Sequence, residues 1–92
     1  MDVVFRVDKK TKEVFALFPH DVCNNQGHVT SYQHIGQHSQ ANYRYCIGQS
    51  KKATKREYMP LKKELVSVGY KTLNVISRQN YDKWLDSYKH LN

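Results

Sequence analysis

The start of the chain constrains the fold most strongly, because two strand patterns there are joined by a short polar segment. Residues 3–8 alternate with the two-residue period of a β-strand. Residues 13–18 are almost all apolar, which predicts a second strand that is buried on both faces and central in its sheet. Pro19 lacks the amide hydrogen that a strand ladder needs and is predicted to end this strand. The sequence therefore predicts an antiparallel hairpin.

The middle of the chain gives fainter signals. Residues 29–35 and residues 43–47 are each predicted to form a strand, with Gly36 and Gly48 as breakers. Thr54 and Glu57 have the spacing of a capping box, which predicts a helix N-terminus. Four apolar residues then recur at helical spacing and are predicted to form one face of that helix: Tyr58, Leu61, Leu65 and Val68.

The end of this helix and the rest of the chain follow from local residues. Gly69 is predicted to stop the helix. Residues 70–78 alternate as a strand does, and Asn80 is predicted to cap a last helix over residues 79–92. The order predicts an α+β fold: a mainly antiparallel sheet, made of the N-terminal hairpin plus one to three further strands, covered by one or two helices.

Length and composition favour a single domain over residues 1–92, since 92 residues support one modest core. Cys23 and Cys46 are too few for the disulfide framework of a small secreted protein, and free thiols are expected. No signal peptide is predicted at the N-terminus, and the longest apolar run is too short to span a membrane. These features predict a cytoplasmic protein without a membrane partner; they do not predict its oligomeric state.

Positive charge is concentrated in residues 51–63, which carry five of the seven net positive charges of the chain. The block contains six cations opposed by Glu57, namely Lys51, Lys52, Lys55, Arg56, Lys62 and Lys63. Such a block is typical of phosphate contact by a nucleic-acid-binding protein, and Arg44 between two tyrosines adds stacking surface for unpaired bases. The alternative is a solvated helix face that keeps a small protein soluble.

Histidines and cysteines give a much weaker signal for chemistry. His34 and His38 are four residues apart, but their segment does not have a helical pattern, and Cys23 has no second cysteine close by. No residue pattern indicates an oxyanion hole or a catalytic carboxylate pair. The sequence therefore predicts no catalytic residue, no metal site and no cofactor, and surface histidines are the expected interpretation.

Three segments carry a resemblance to known proteins: residues 4–19, residues 31–38, and residues 53–70 with Ala53-Thr54, Glu57-Tyr58 and Gly69-Tyr70. Together they resemble a family of small, largely uncharacterised proteins from prophages and conjugative elements of gut bacteria. The similarity spans residues 3–78, and its most distinctive part is Tyr32 to His38. Members of that family often carry proline where this chain has Lys52 and Lys55, so the basic block is peculiar to this member.

The resemblance implies a mobile-element setting in a bacterial host and a non-catalytic accessory protein. Some proteins of this size and setting are anti-CRISPR inhibitors, which occupy a surface of a host nuclease complex. The net charge of +7 excludes an acidic mimic of DNA. The first hypothesis is thus an inhibitor that binds a host protein or protein–nucleic-acid complex, and the second is direct nucleic-acid binding. The candidate contact residues are Arg44, Lys51, Lys52, Lys55, Arg56, Lys62, Lys63, Tyr32, His34 and His38.

Overall fold

Six strands and two helices form the part of the chain that this computed structural model describes, residues 1–23, 28–33, 37–70 and 72–76. In chain order they are β1 (Asp2–Asp8), β2 (Val14–Val22), β3 (His28–Gln33), β4 (Gln37–Asn42), α1 (Tyr43–Gly48), β5 (Ser50–Lys52), α2 (Lys55–Ser67) and β6 (Asn74–Val75). The α+β class predicted from the sequence is confirmed. Within the described ranges, no helix is long and apolar enough to cross a bilayer.

The strands form one sheet in the order β4-β3-β2-β1-β5, and each neighbouring pair is antiparallel. The β1–β2 hairpin is confirmed, with Val4 opposite Leu17. Residues 15–19 of β2 are buried, as expected of a central strand with two apolar faces. β6 pairs with β1 in parallel, beside the segment that β5 leaves uncovered.

Pro19 does not end β2, contrary to the sequence prediction. The strand continues to Val22, and its register with β3 shifts between Phe18 and Val22. An irregularity of this kind leaves a residue out of the ladder, so a proline without an amide hydrogen is tolerated there. Pro19 is also fully buried, so its ring contributes to the core.

Each face of the sheet has its own apolar cluster. On one face, Leu61 and Leu65 of α2 pack over residues of β1, β2 and β3, including Phe5, Phe18 and Tyr32. On the other face, α1 packs through Tyr43, Cys46 and Ile47 over Phe15, Leu17 and Val29. The two helices therefore lie on opposite sides of the sheet.

Residues 43–47 form the helix α1 and not the predicted strand. The Asn42 side chain accepts a hydrogen bond from the Tyr45 amide at 3.0 Å, which makes Asn42 an N-cap. Tyr43, Cys46 and Ile47 then share a face at helical spacing and pack on the sheet. β4, just before this cap, is a polar edge strand that the sequence does not predict.

α2 begins and ends where the sequence predicts. Tyr58, Leu61 and Leu65 contact the core, whereas Val68 follows the last helical residue and is exposed. Among residues 70 and 72–76, the described part of the predicted strand over 70–78, Asn74–Val75 form a strand, and Tyr70 instead stacks on Phe18 with ring centroids 5.1 Å apart. Residues 77–92, with the predicted helix over 79–92, lie outside the described part.

Gly69 ends α2 with positive φ and a Schellman motif. Its φ is 119°, its amide donates to Val66 O at 3.2 Å, and the Tyr70 amide donates to Leu65 O at 3.1 Å. A side chain is disfavoured at this φ, so we expect Gly69→Ala to lower the free energy of unfolding by about 1 kcal/mol or more. Urea unfolding of this variant and of Gly48→Ala provides the comparison.

Gly48 is a matched control for this substitution. An added Cβ at Gly48 meets no atom within 4 Å, and its φ lies outside the positive range. We expect Gly48→Ala to be neutral or to stabilise by about 0.5 kcal/mol, since alanine restricts the unfolded chain. Equal losses at the two positions would contradict a special role for the Gly69 backbone.

Candidate nucleic-acid interface

β5 places the first two cations of the basic block at the edge of the sheet. Lys51 lies opposite Val7 and Lys52 opposite Arg6 in the β1–β5 register, and both lysines are exposed. The Ala53 amide then donates to Phe5 O at 3.1 Å, which holds the chain on β1 until α2 begins. The block is therefore anchored to the sheet and does not lie in a free loop.

A complete capping box fixes the start of α2. The Glu57 amide donates to Thr54 Oγ1 at 3.3 Å, and the Thr54 amide donates to Glu57 Oε1 at 2.8 Å. These hydrogen bonds from Thr54, with a smaller contribution from the charge of Lys51, lower the pKa of the Glu57 carboxyl below its ordinary 4.5. The one acidic residue of the block is thus already engaged in capping the helix.

The cations of α2 form two rows along the helix. Lys55 and Lys62 are seven residues apart, as are Arg56 and Lys63, which places the members of each pair two turns and about 10.5 Å apart along the axis. Lys55, Arg56 and Lys63 are exposed, and Lys62 is half-buried. Because Leu61 and Leu65 face the sheet, these rows lie along the flank and the outer side of α2.

The β1–β2 turn adds cations that the sequence block does not include. The Lys9 amide donates to Gln49 O at 3.1 Å, so Lys9 is the diagonal neighbour of Lys51 across the β1–β5 pair. Lys10 and Lys12 lie in the same turn, and all three lysines are exposed. The sequence predicts the hairpin and so the turn that carries these lysines. It does not predict that β1 pairs with β5, and this pairing is what places the turn beside the basic block.

We call these residues the basic surface: Lys9, Lys51, Lys52, Lys55, Arg56, Lys62 and Lys63. In the ranges described, the ion pair found is between His20 Nε2 and Asp2 Oδ2 at 3.1 Å, and it involves none of them. Cations that lie along one sheet edge and one helix, and that form no ion pair among the described residues, raise the local positive potential. The basic surface can therefore accept a polyanion without first breaking ion pairs in the described residues.

The other predicted contact residues are not part of this surface. Arg44 is exposed in α1, on the opposite side of the sheet from α2. Tyr32 is 0% exposed and packs in the core beneath α2, so the prediction that its side chain contacts a partner is corrected. His38 pairs with Tyr32 through the β3–β4 ladder; its side chain and the whole of His34 lie outside the described residues.

Arg6 of β1 fastens β5 through hydrogen bonds to Ser50. Its side chain is 8% exposed, its Nε donates to Ser50 Oγ at 2.9 Å, and its Nη2 donates to the carbonyl oxygens of Ser50 at 2.7 Å and Ile47 at 3.2 Å. A guanidinium has enough donors to hold several carbonyls at once. Arg6 thus joins β1 to the segment between α1 and β5, immediately before Lys51 and Lys52 in the chain.

The cysteines are free thiols in half-buried positions. Burial, with the charge of Asp8, raises the pKa of the Cys46 thiol, which is the opposite of what a nucleophilic thiolate needs. Cys23 Sγ lies 3.2 Å from Thr30 Oγ1. No three His, Cys, Asp or Glu side chains come together as metal ligands anywhere in the residues that the structure describes.

Comparison with known proteins gives no match to a protein family, to a curated protein or to a solved structure. A function for this chain is therefore inferred from its own residues and geometry. The mobile-element setting implied by the resemblance of residues 3–78 stays a prediction.

The capping box gives a prediction about pH. Because folding lowers the pKa of Glu57, its charged form stabilises the protein above pH 4.5, and this contribution is lost as pH falls through the lowered pKa. We expect wild type to be more stable than Glu57→Gln near pH 7, and the difference to shrink as pH falls below 4.5 and the Glu57 carboxyl becomes protonated. Urea midpoints measured over this pH range test the prediction; a difference that does not change with pH would contradict it.

Proposed function

We propose that this protein is a non-catalytic binding protein whose basic surface contacts the phosphate backbone of a nucleic acid, free or within a protein–nucleic-acid complex. The observation that carries the proposal is the set of seven cations on one sheet edge, its adjoining β1–β2 turn and one helix, where the acidic residue of the block is used in capping. Phosphate contact of this kind is independent of base sequence and is driven by counterion release.

The cations of the basic surface are carried by defined secondary structure. This supports a binding role over the alternative of a solvated helix face that only keeps the protein soluble. The backbone of Lys51 and Lys52 is held by strand pairing and by the Arg6 bonds to the preceding Ser50, and that of Lys55 and Arg56 by the capped first turn. Backbone order of this kind reduces the entropy lost when the cations bind. The setting that we propose for this activity is the cytoplasm of a bacterial host, with the partner part of a mobile-element or host-defence assembly; this setting rests on the resemblance alone.

Fluorescence anisotropy tests the proposal directly. Labelled duplex DNA, single-stranded DNA and RNA are titrated with the protein at ~50 mM salt, where phosphate contacts are strong. Binding of at least one of the three in the micromolar range or tighter is expected. Absence of binding to all three would overturn the proposal and direct attention to acidic protein partners.

A further inference from the structure

A pocket of about 430 Å³ lies beside the basic surface, where the ends of β5 and β6 approach each other along β1. The Ala53 amide, after β5, donates to Phe5 O, and the Ile76 amide, after β6, donates to Val3 O at 2.9 Å. β5 is antiparallel and β6 parallel to β1, so both chains run toward the same point. The pocket is lined by Phe5, Lys52, Ala53, Thr54, Lys55, Tyr58, Val75 and Ile76.

An aromatic pair forms one side of this pocket. The rings of Phe5 and Tyr58 are stacked, with centroids 4.6 Å apart and planes within 10°. Phe5 is 2% exposed, so it supports Tyr58 from the core, while Tyr58 is half-buried and lines the pocket. A ring held in place by a stacked neighbour offers a flat apolar surface at little entropic cost, which suits the stacking of a nucleobase.

Two exposed cations lie at the same pocket. Lys52 and Lys55 are part of its lining, and both belong to the basic surface. The Glu57 amide is occupied by Thr54 Oγ1, so the lysine side chains provide the charge for an anion here. An apolar, aromatic pocket of this size with cations at its margin matches a base and its neighbouring phosphates, and ordinary ligand pockets begin at about 300 Å³.

We infer that this pocket takes one unpaired base of a single-stranded nucleic acid, stacked against Tyr58, with the adjoining phosphates on Lys52 and Lys55. The inference rests on the proposed function and adds to it a preference for single strands over duplexes. A base inside a duplex is paired and stacked on its neighbours, so it reaches such a pocket only at the cost of unstacking and unpairing.

The test compares labelled oligothymidine with the same strand annealed to its oligoadenosine complement, using wild type, Tyr58→Leu and Tyr58→Phe. We expect wild type to bind the single strand at least about fivefold more tightly than the duplex, and Tyr58→Leu to lose about five- to hundredfold on the single strand with little change on the duplex. Tyr58→Phe keeps the ring and should bind as wild type does. Equal binding of single strand and duplex by all three proteins would overturn the inference while leaving the proposed function standing, whereas no binding of either probe would overturn both.

A measurement on wild type makes the result independent of how well Tyr58→Leu folds. Adding oligothymidine should shift the nuclear magnetic resonance signals of the Tyr58 ring and the Ile76 methyl groups, because a stacked base lies beside both. Adding the duplex should shift signals of the basic surface without moving these two. If oligothymidine shifts other signals but not those of Tyr58 and Ile76, the pocket is not the binding site and the inference is overturned.

Discussion

Reversing four cations of the basic surface is expected to remove nucleic-acid binding. In Lys51→Glu/Lys52→Glu/Lys55→Glu/Arg56→Glu, affinity should fall by more than about a hundredfold at ~50 mM salt, because each lost cation removes a phosphate contact and the counterion release that goes with it. Each lost contact should also reduce the salt slope by about one unit. Anisotropy with the tightest-bound of the three probes measures this loss. Unchanged binding would refute phosphate contact by this surface.

This variant should remain folded, since acidic residues are favourable in the first turn of a helix and Lys55 and Arg56 occupy that turn. Urea unfolding verifies this before binding is compared. Arg56→Glu and Arg44→Glu then form a matched pair, because the two arginines are exposed at helix starts on opposite sides of the sheet. Arg56→Glu should weaken binding several-fold more than Arg44→Glu, and equal effects would indicate a response to total charge alone.

Replacing Arg6 is expected to have a large effect on stability. Arg6→Met removes the donor to the buried carbonyl oxygen of Ser50, and a buried acceptor left without a partner costs about 1–3 kcal/mol. The Ile47 carbonyl oxygen also loses the Arg6 donor but keeps a hydrogen bond from Ser50 Oγ. We therefore expect the free energy of unfolding to fall by about 1–3 kcal/mol, a substantial part of the stability of a small domain. Urea unfolding measures the change.

Lys52→Met is the control for this change, since Lys52 lies directly opposite Arg6 in the register and is exposed. The same substitution there should alter stability by no more than about 0.5 kcal/mol. Similar losses at the two positions would contradict the conclusion that the buried guanidinium fastens β5. A large loss confined to Arg6→Met would confirm that the buried hydrogen bonds of Arg6 to the segment before Lys51 and Lys52 stabilise the fold.

Local signals explain which parts of the fold are predictable from the sequence. The β1–β2 hairpin follows from residue alternation, and the start of α2 follows from Thr54 and Glu57, whose capping bonds join residues three apart. α1 is six residues long, so its apolar positions fit a short strand equally well, and Asn42 is the one local sign of a helix. β4 is polar although its partner β3 is adjacent in the chain, and β6 depends on pairing with the distant β1; neither has a strong pattern of its own.

The candidate site likewise has one part that the sequence predicts and other parts that only the structure shows. The charge block at residues 51–63 is visible in the sequence, but the β1–β5 register is needed to add Lys9. An aromatic residue in a polar segment does not reveal whether it faces the core, and Tyr32 proves to be buried. The pocket combines Phe5, Tyr58 and Ile76 from three separate segments, which no local pattern predicts.

The salt dependence of wild-type binding tests the central claim most directly. The dissociation constant of a labelled single strand is measured by anisotropy across ~50 to ~200 mM salt, and the logarithm of the association constant is plotted against the logarithm of salt concentration. Contact with at least three phosphates through the basic surface predicts a slope of about −2 or steeper, since each contact on a single strand contributes about −0.7. Undetectable binding, or binding whose slope is close to zero, would contradict a phosphate-binding role.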